Sequence, residues 1–344
     1  MNTAAAVITA FVAAFAVTAL LGFVMIPWLR RLEFGQTVTD MKRHSGRHST
    51  PSMGGVTFII GTVSAILLTA LTDKLMGGDI VASGSLVPQE MYTKLWGGVL
   101  TALAFAFIGF ADDYIKVVNR QNLGLTIKQK SLMQLLTGVA YLTSLYMGMQ
   151  GAPFMFVPFV GNVETGFFLW IFGIVFIYAT VNSVDLTDGA DGLCGGVTVT
   201  AAASVAVIAA LKGFFGFSAA AAALAGGCVG FLLWNKKPAK VFMGGTGSMF
   251  LGGMTVALAY AIGCPLILVL SGLAYFIEGA ADVVQVVCFK ATGRKRILKM
   301  APQPRHLELC GWSGKKITAV FTLVNFLGAA AAVAVMYYGG YILR

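Results

Sequence analysis

Ten long apolar stretches follow one another along the chain, and most approach the length of a membrane-spanning helix. Crossing a hydrocarbon core of about 30 Å requires roughly 20 residues of helix, whereas a membrane barrel shows short strands of alternating polarity. Only 11% of the residues are charged, against about 25% in an ordinary soluble domain. The pattern predicts an all-α polytopic membrane protein with about ten transmembrane helices. The predicted spans are 5–28, 54–72, 95–111, 131–148, 166–184, 194–211, 218–234, 248–263, 266–288 and 317–338.

The division between the eighth and ninth spans stays open. Only the turn Gly263-Cys264-Pro265 separates them, and a single re-entrant element is the alternative. No internal repeat with a period of roughly 20–50 residues and no low-complexity linker interrupts the chain. We therefore expect one integral-membrane domain over residues 1–344.

Basic residues are concentrated on one side of the predicted helices, as is usual for the cytoplasmic side of a membrane protein. If the N-terminus is extracytoplasmic, all but four of the 24 Lys and Arg residues face the cytoplasm, so both termini are predicted to be extracytoplasmic. The net charge of +10 then faces the anionic inner leaflet and anionic substrates. We expect the lipid bilayer and an anionic substrate as partners, and no nucleic acid.

Five carboxylates lie at the ends of two predicted helices. Asp112 and Asp113 end the third span, and Asp185, Asp188 and Asp191 follow the fifth. A single Asp at a membrane boundary is usually just solvated, but the helix dipole disfavours anions at a helix C-terminus and adjacent like charges add to the cost. Carboxylates together with substrate phosphates are the usual ligands of Mg²⁺. The cluster therefore predicts a cation, and the surrounding Lys and Arg residues indicate phosphate chemistry.

Seven motifs resemble those of the polyprenyl-phosphate N-acetylhexosamine-1-phosphate transferases. They cover nearly the whole chain, and each lies on the predicted cytoplasmic side. One such motif could arise by chance, whereas seven in the same order are specific. The motifs are FGQTV at 34–38, STPSMGG at 49–55, DDYIKVV at 112–118, NLGLTIKQK at 122–130, LTDGADGL at 186–193, WNKKPAKVFMG at 234–244 and MAPQPRHLELCGW at 300–312.

The resemblance implies a ten-helix enzyme of the bacterial cytoplasmic (inner) membrane, with its active site on the cytoplasmic face. The implied reaction moves phospho-N-acetylmuramoyl-pentapeptide from its uridine diphosphate carrier, UDP-N-acetylmuramoyl-pentapeptide, to undecaprenyl phosphate. Its products are lipid I and UMP, in peptidoglycan synthesis, and the implied cofactor is Mg²⁺. The resemblance also suggests a homodimer. The residues suit this chemistry, because phosphoryl transfer requires mainly positioning and charge neutralisation.

The resemblance also implies roles for individual residues. Asp112, Asp113 and Asp188 are the expected catalytic residues, with Asp112 as the base and Asp188 beside the metal and the diphosphate. Asp191 and the backbone at Gly189 and Ala190 are expected to meet the uracil. The further substrate-binding candidates are Lys116, Lys128, Asp185, Asn235, Phe242, Arg305 and His306.

The chain departs from the family's motifs at three places. Gly245 stands where the family usually has an aspartate that binds the metal, and Pro304 and Arg305 replace two of three consecutive histidines. Asp185 stands where the relatives usually have asparagine. In one interpretation Asp185 restores the lost carboxylate as a metal ligand and Arg305 replaces a histidine at a phosphate. In the other, the chain is catalytically impaired and only binds nucleotide.

Other functions remain open from the sequence. The altered histidine motif is compatible with a different sugar nucleotide. Glu278 and Asp282 lie one turn apart inside the ninth span, where ionisable groups usually face a cavity or a partner. A transporter would use them to line a pathway, whereas a structural role at a helix break is equally compatible with the sequence. A non-catalytic scaffold that binds nucleotide is a third class.

Overall fold

The computed structural model describes residues 2–31, 50–85, 87–119, 123–148, 154–164, 166–292 and 296–342, and these residues are helical almost throughout. This confirms the predicted all-α class. The helices are α1 (Thr3–Arg31), α2 (Gly55–Leu75), α3 (Pro88–Val118), α4 (Ile127–Gly148), α5 (Phe168–Thr187), α6 (Leu193–Leu211), α7 (Phe215–Asn235), α8 (Gly244–Ala261), α9 (Leu268–Ser271), α10 (Leu273–Ala291), α11 (Gln303–Leu309) and α12 (Gly314–Tyr338).

Seven of these helices are long and apolar enough to cross a membrane: α1, α2, α3, α5, α6, α7 and α12. The bent pair Pro265–Ser271 and Leu273–Ala291 passes the same test when it is counted as one span. The predicted fourth and eighth spans are present as α4 and α8, but α4 begins with lysines and α8 with glycines and hydroxyl residues. The polytopic membrane fold is confirmed, while the orientation of the termini stays a prediction.

The ninth predicted span, 266–288, is not one continuous helix. The chain bends by 88° between α9 and α10, with Gly272 between the two helices. A break inside a membrane protein leaves backbone groups that water cannot reach, so protein groups must satisfy them. Asn325 on α12 does so, because its amide accepts from Ala274 N at 3.0 Å and donates to Ser271 O at 3.0 Å. The buried amide of Asn325 therefore stabilises the bend.

A two-stranded hairpin joins α4 to α5, and the sequence analysis did not predict it. Its strands are β1 (Phe154–Val157) and β2 (Gly161–Glu164), which pair antiparallel. Phe156 N donates to Gly263 O at 2.9 Å, so the hairpin lies against the turn that follows α8. Strands of four residues are too short for an alternating pattern to stand out from the sequence.

Helix α8 lies at the centre of the bundle, and nearly all of it is buried. Small residues allow its backbone to approach neighbouring helices closely, as is common in membrane proteins. A Cβ on Gly109 of α3 would lie 2.1 Å from Gly245 O, and one on Gly252 of α8 would lie 2.9 Å from the Val181 Cα of α5. These contacts place the N-terminus of α8 between the carboxylate-bearing ends of α3 and α5.

The contact at Gly109 gives a prediction about stability. Gly109→Ala would introduce a methyl group 2.1 Å from a backbone oxygen, which cannot rotate away, and overpacking costs roughly 1–3 kcal/mol. This exceeds the gain of about 1 kcal/mol that alanine brings to a helix. We expect a lower midpoint of thermal unfolding for the purified variant in detergent.

Gly138→Ala in α4 is the matched control, because the nearest atom to its new Cβ is a side-chain carbon of Ile177 at 3.7 Å, an ordinary contact. This variant is expected to unfold at or slightly above the wild-type temperature. Equal midpoints for both variants would contradict the close approach of α3 and α8.

Candidate active site

Four of the predicted site carboxylates lie near the N-terminus of α8. Asp112 and Asp113 are in the last turns of α3, Asp185 is in the last turn of α5, and Asp188 is the residue that ends α5. Asp112 and Asp113 are both buried. The sequence placed these acids at two helix ends, and the packing of α8 brings the two ends together.

Asp113 is held by the first turn of α8. Its Oδ2 accepts from the backbone N and the hydroxyl Oγ1 of Thr246, both at 2.9 Å. Two donors on one carboxylate oxygen stabilise the anion, and the N-terminus of a helix favours negative charge. The Asp113 carboxylate is therefore fixed in position by α8, and Thr246 is a contributing residue that was not identified from the sequence.

Asp112 is held by a lysine of its own helix and by the backbone of the loop before α4. Its Oδ2 pairs with Lys116 Nζ at 2.6 Å, and its Oδ1 accepts from Leu125 N at 2.8 Å. A Cβ on Gly124 would lie 2.3 Å from the same Oδ1, so the loop before α4 closes directly onto this carboxylate. Each oxygen of Asp112 has one such partner and keeps a further lone pair, and the Lys116 side chain is partly exposed.

Asp185 connects three helices. Its Oδ2 pairs with Lys130 Nζ of α4 at 2.7 Å, and its Oδ1 accepts from the hydroxyl of Ser248 in α8. Ser248 lies three residues after Gly245, which is about one helical turn. The carboxylate of Asp185 is thus placed beside the turn of α8 that lacks the family's aspartate. The sequence analysis assigned no role to Lys130 or Ser248, although NLGLTIKQK contains the lysine.

Asp188 lacks such partners. Among the described residues no donor reaches its carboxylate, and it is half-buried. Burial, and then the negative charges of Asp185, Asp113 and Asp191, raise the pKa of Asp188 well above its usual range. A cation bound there would remove this electrostatic cost.

The residues at this position suit a magnesium ion. Within the described part of the chain no three His, Cys, Asp or Glu side chains converge as a ready-made metal site. Mg²⁺ does not need one, because it is usually held by one or two carboxylates together with substrate phosphates and water. Asp188, which no donor reaches among the described residues, and Asp185 three residues before it carry the kind of oxygen that this ion prefers.

A second set of predicted residues lies at the turn between α5 and α6. Asn235 at the end of α7 accepts from Gly192 N at 2.9 Å and donates to Val241 O at 2.8 Å. Asp191 Oδ2 accepts from Ala239 N at 3.3 Å. These bonds join the LTDGADGL turn to the loop that leads into α8. Both ends of the Asn235 amide are engaged with backbone, so it shapes this region from within the protein.

The same region includes Phe242, whose backbone is bonded on both sides to the loop before α2. Phe242 N donates to Pro51 O, and Gly54 N donates to Phe242 O, both at 2.9 Å. The STPSMGG and VFMG motifs are therefore neighbours. Phe242 is half-exposed, and so are the residues Gly189 and Ala190 of the LTDGADGL turn.

The last predicted residues lie on α11. Arg305 is exposed and His306 is half-buried, with His306 Nδ1 accepting from Lys299 N at 3.1 Å. Pro304 is buried, and a Cβ on Gly189 would lie 3.7 Å from its ring. Helix α11 therefore packs next to the LTDGADGL turn.

Lys128 and the FGQTV motif are the last positions that the sequence singled out. Lys128 is exposed in the first turn of α4, two residues before Lys130, and within the described segments it forms no hydrogen bond or ion pair with the other predicted residues. The FGQTV motif at 34–38 lies outside the described residues.

Comparisons with known proteins match this arrangement. Residues 95–263, which run from α3 to the end of α8, match the glycosyl transferase family 4. A Listeria innocua protein named phospho-N-acetylmuramoyl-pentapeptide-transferase is 36% identical over 96% of this chain and 98% of its own length. Proteins of the same name are 37% identical in Heliobacterium modesticaldum, over 93% of this chain and 94% of their own, and 39% identical in Desulforudis audaxviator, over 93% and 95%.

The similarity to these relatives extends over nearly the full length of both chains. The resemblance found in the sequence motifs is thereby confirmed. This bacterial membrane protein belongs to the family of the phospho-N-acetylmuramoyl-pentapeptide transferases, within glycosyl transferase family 4.

Proposed function

We propose that the chain transfers phospho-N-acetylmuramoyl-pentapeptide from UDP-N-acetylmuramoyl-pentapeptide to undecaprenyl phosphate, giving lipid I and UMP. The observation that carries this proposal is the meeting of the Asp112–Asp113 pair with Asp185 and Asp188 at the N-terminus of α8. The names of the relatives support the same reaction. An oxygen of the lipid phosphate attacks the sugar-linked phosphorus, the bond from that phosphorus to the bridging oxygen breaks, and UMP leaves with that oxygen.

The chain's own residues would divide this work by position. Asp188 and Asp185 would hold Mg²⁺, which supplies charge neutralisation for the diphosphate when it is bound. Lys116, now paired with Asp112, would turn to the acceptor phosphate and leave Asp112 able to accept a proton. Asp113, held in place by Thr246, would attract Lys116 electrostatically and so help to position it beside the acceptor phosphate. Lys128 would neutralise phosphate oxygens from the first turn of α4.

Recognition of uracil is proposed for the LTDGADGL turn. Asp191 uses Oδ2 to accept from Ala239 N, and its Oδ1 has no protein donor among the described residues. An oxygen of this kind can accept from the imide N–H of uracil. Asn235 would hold the turn in shape from below, and the half-exposed ring of Phe242 would lie against the base.

The departures at Gly245 and Asp185 are proposed to compensate for each other. Ser248 lies one turn after Gly245 on α8, and its hydroxyl binds the Asp185 carboxylate of α5. The carboxylate from α5 is therefore close to the position where the family's aspartate is missing. Arg305 is proposed to replace a histidine at a phosphate, since it is exposed on α11 next to the same turn. The site would then be altered but active.

We also propose that the active site faces the cytoplasm, that the chain resides in the bacterial cytoplasmic membrane and that it forms a homodimer. The one-sided distribution of Lys and Arg supports the orientation.

The proposed reaction predicts UMP release. The purified chain in detergent, given UDP-N-acetylmuramoyl-pentapeptide and undecaprenyl phosphate, is expected to release UMP with Mg²⁺ and to stop when EDTA is added. Release without lipid acceptor, or flux into proteoliposomes without UMP, would contradict the transferase.

An absence of release by the wild type, followed by release from the variant with Gly245→Asp, Pro304→His and Arg305→His, would identify an impaired member of the family. Faster release with another uridine diphosphate sugar would identify a different substrate.

An exchange of carboxylates tests the compensation between α5 and α8. Asp185→Asn is expected to lower turnover by about 10–100-fold and to raise the Mg²⁺ concentration needed for half-maximal rate. Adding Gly245→Asp to this variant is expected to restore most of the activity, because a Cβ at Gly245 has no atom nearer than 3.4 Å and points toward Asp113.

Asp79→Asn is the control, since Asp79 is an exposed acid near the opposite end of α3, where it accepts from the Tyr92 hydroxyl at 2.8 Å. Lys130→Gln distinguishes two roles of Asp185, which are to bind the metal and to hold Lys130 in an ion pair. If Lys130→Gln reproduces the full effect of Asp185→Asn and Gly245→Asp restores nothing, Asp185 acts through Lys130 and is not a metal ligand.

A further inference from the structure

Helix α10 has buried polar residues on one face, although it belongs to a bent helix pair that is apolar enough to span a membrane. Glu278 and Gln285 are seven residues apart, which places them on one side of the helix, and both are buried. The flanking valines at 283, 284, 286 and 287 are exposed and suit contact with lipid. The polar face is therefore directed toward other parts of the protein, and the hydrogen bonds of Gln285 and Glu278 show which parts these are.

Gln285 binds the segment that follows α10. Its Oε1 accepts from Ile297 N at 3.1 Å and from Leu298 N at 2.9 Å, and its Nε2 donates to Leu298 O at 3.3 Å. One side-chain amide thus satisfies three backbone groups of an otherwise irregular stretch. The returning chain is fixed at this point against α10.

Glu278 binds the same segment two helical turns away. Its Oε2 accepts from Gln303 N, the first residue of α11, at 3.1 Å. Its other oxygen, Oε1, is buried without a hydrogen-bond partner among the described residues. A buried carboxylate oxygen without a donor is costly. Among the described residues, the bond to Gln303 N is the hydrogen bond that this side chain makes, and it links α10 to the start of α11.

Helix α11 in turn is packed against the proposed nucleotide site. The rings of Pro302 and Pro304 face Gly189, at 3.1 and 3.7 Å from where its Cβ would be. Glu308 near the other end of α11 pairs with Lys237 at 3.6 Å. A shift of α11 would therefore move Arg305 and His306 relative to the LTDGADGL turn.

We propose that Glu278 is a positioning residue, which fixes the start of α11 and thereby places Arg305 and His306 against the diphosphate of the uridine nucleotide substrate. The role in substrate binding rests on the proposed function. The intramembrane acid acts through the backbone of Gln303 and touches no substrate. This assigns the carboxylate to docking of α11 rather than to a transport pathway.

The test uses Glu278→Ala and Glu278→Gln in the full chain, reconstituted in nanodiscs. Alanine removes the acceptor for Gln303 N, whereas glutamine keeps one oxygen in the same place. Amide hydrogen exchange over residues 303–309 is expected to become about tenfold faster in Glu278→Ala, because removal of the acceptor leaves the N–H of Gln303 without its hydrogen bond. The KM for UDP-N-acetylmuramoyl-pentapeptide is expected to rise by a similar factor, with a smaller change in kcat. Glu278→Gln is expected to remain within about threefold of wild type in both measurements.

Asp282→Ala is the matched control, because Asp282 is one turn along the same helix and only half-buried, and it is expected to behave as the wild type. Gln285→Ala is the second variant, expected to speed exchange at Ile297 and Leu298. Unchanged exchange over 303–309 in Glu278→Ala, or equal effects of Glu278→Ala and Glu278→Gln, would overturn the proposal. Hydrogen exchange needs no turnover, so it decides the docking role even if the wild type releases no UMP.

Discussion

The close approach of α8 to α3 and α5 is the interaction on which the rest of the structure depends. Glycines at these crossings let backbone meet backbone, and the contact between Gly109 and Gly245 O places the first turn of α8 directly between two acidic helix ends. Without this approach the N–H and hydroxyl donors of Thr246 and Ser248 could not reach Asp113 and Asp185. Helix packing in the membrane therefore creates the carboxylate site.

Charge balance then determines what the site can bind. Lys116 pairs with Asp112 and Lys130 pairs with Asp185, while helix α8 supplies the donors for Asp113. Asp188 is left with negative neighbours and no donor among the described residues. A divalent cation with a diphosphate would meet this need, because the ion would neutralise the carboxylates and the surrounding lysines would neutralise the phosphates. In the proposed function, the Asp185 carboxylate compensates for Gly245, so that α5 rather than α8 would provide one acid of the site.

Much of this arrangement was predictable from the sequence, since apolar length identifies helices and the five aspartates stand at their ends. The bend at Gly272 and the four-residue strands of the hairpin were missed. The bend depends on Asn325 from a distant helix, and the strands are too short to show a period. Lys130 and Ser248 were missed because their roles arise from contacts across 55 and 63 residues of sequence. Glu278 was recognised as unusual, but its partner on α11 becomes visible only in the structure.

The most direct measurement of the central claim is electron paramagnetic resonance of Mn²⁺, used in place of Mg²⁺, with the purified chain and uridine diphosphate. We expect a bound Mn²⁺ signal that Asp188→Asn removes and that Asp79→Asn leaves unchanged. A bound signal of equal strength in Asp188→Asn would contradict the claim that this carboxylate site exists to hold a divalent cation beside a nucleotide diphosphate.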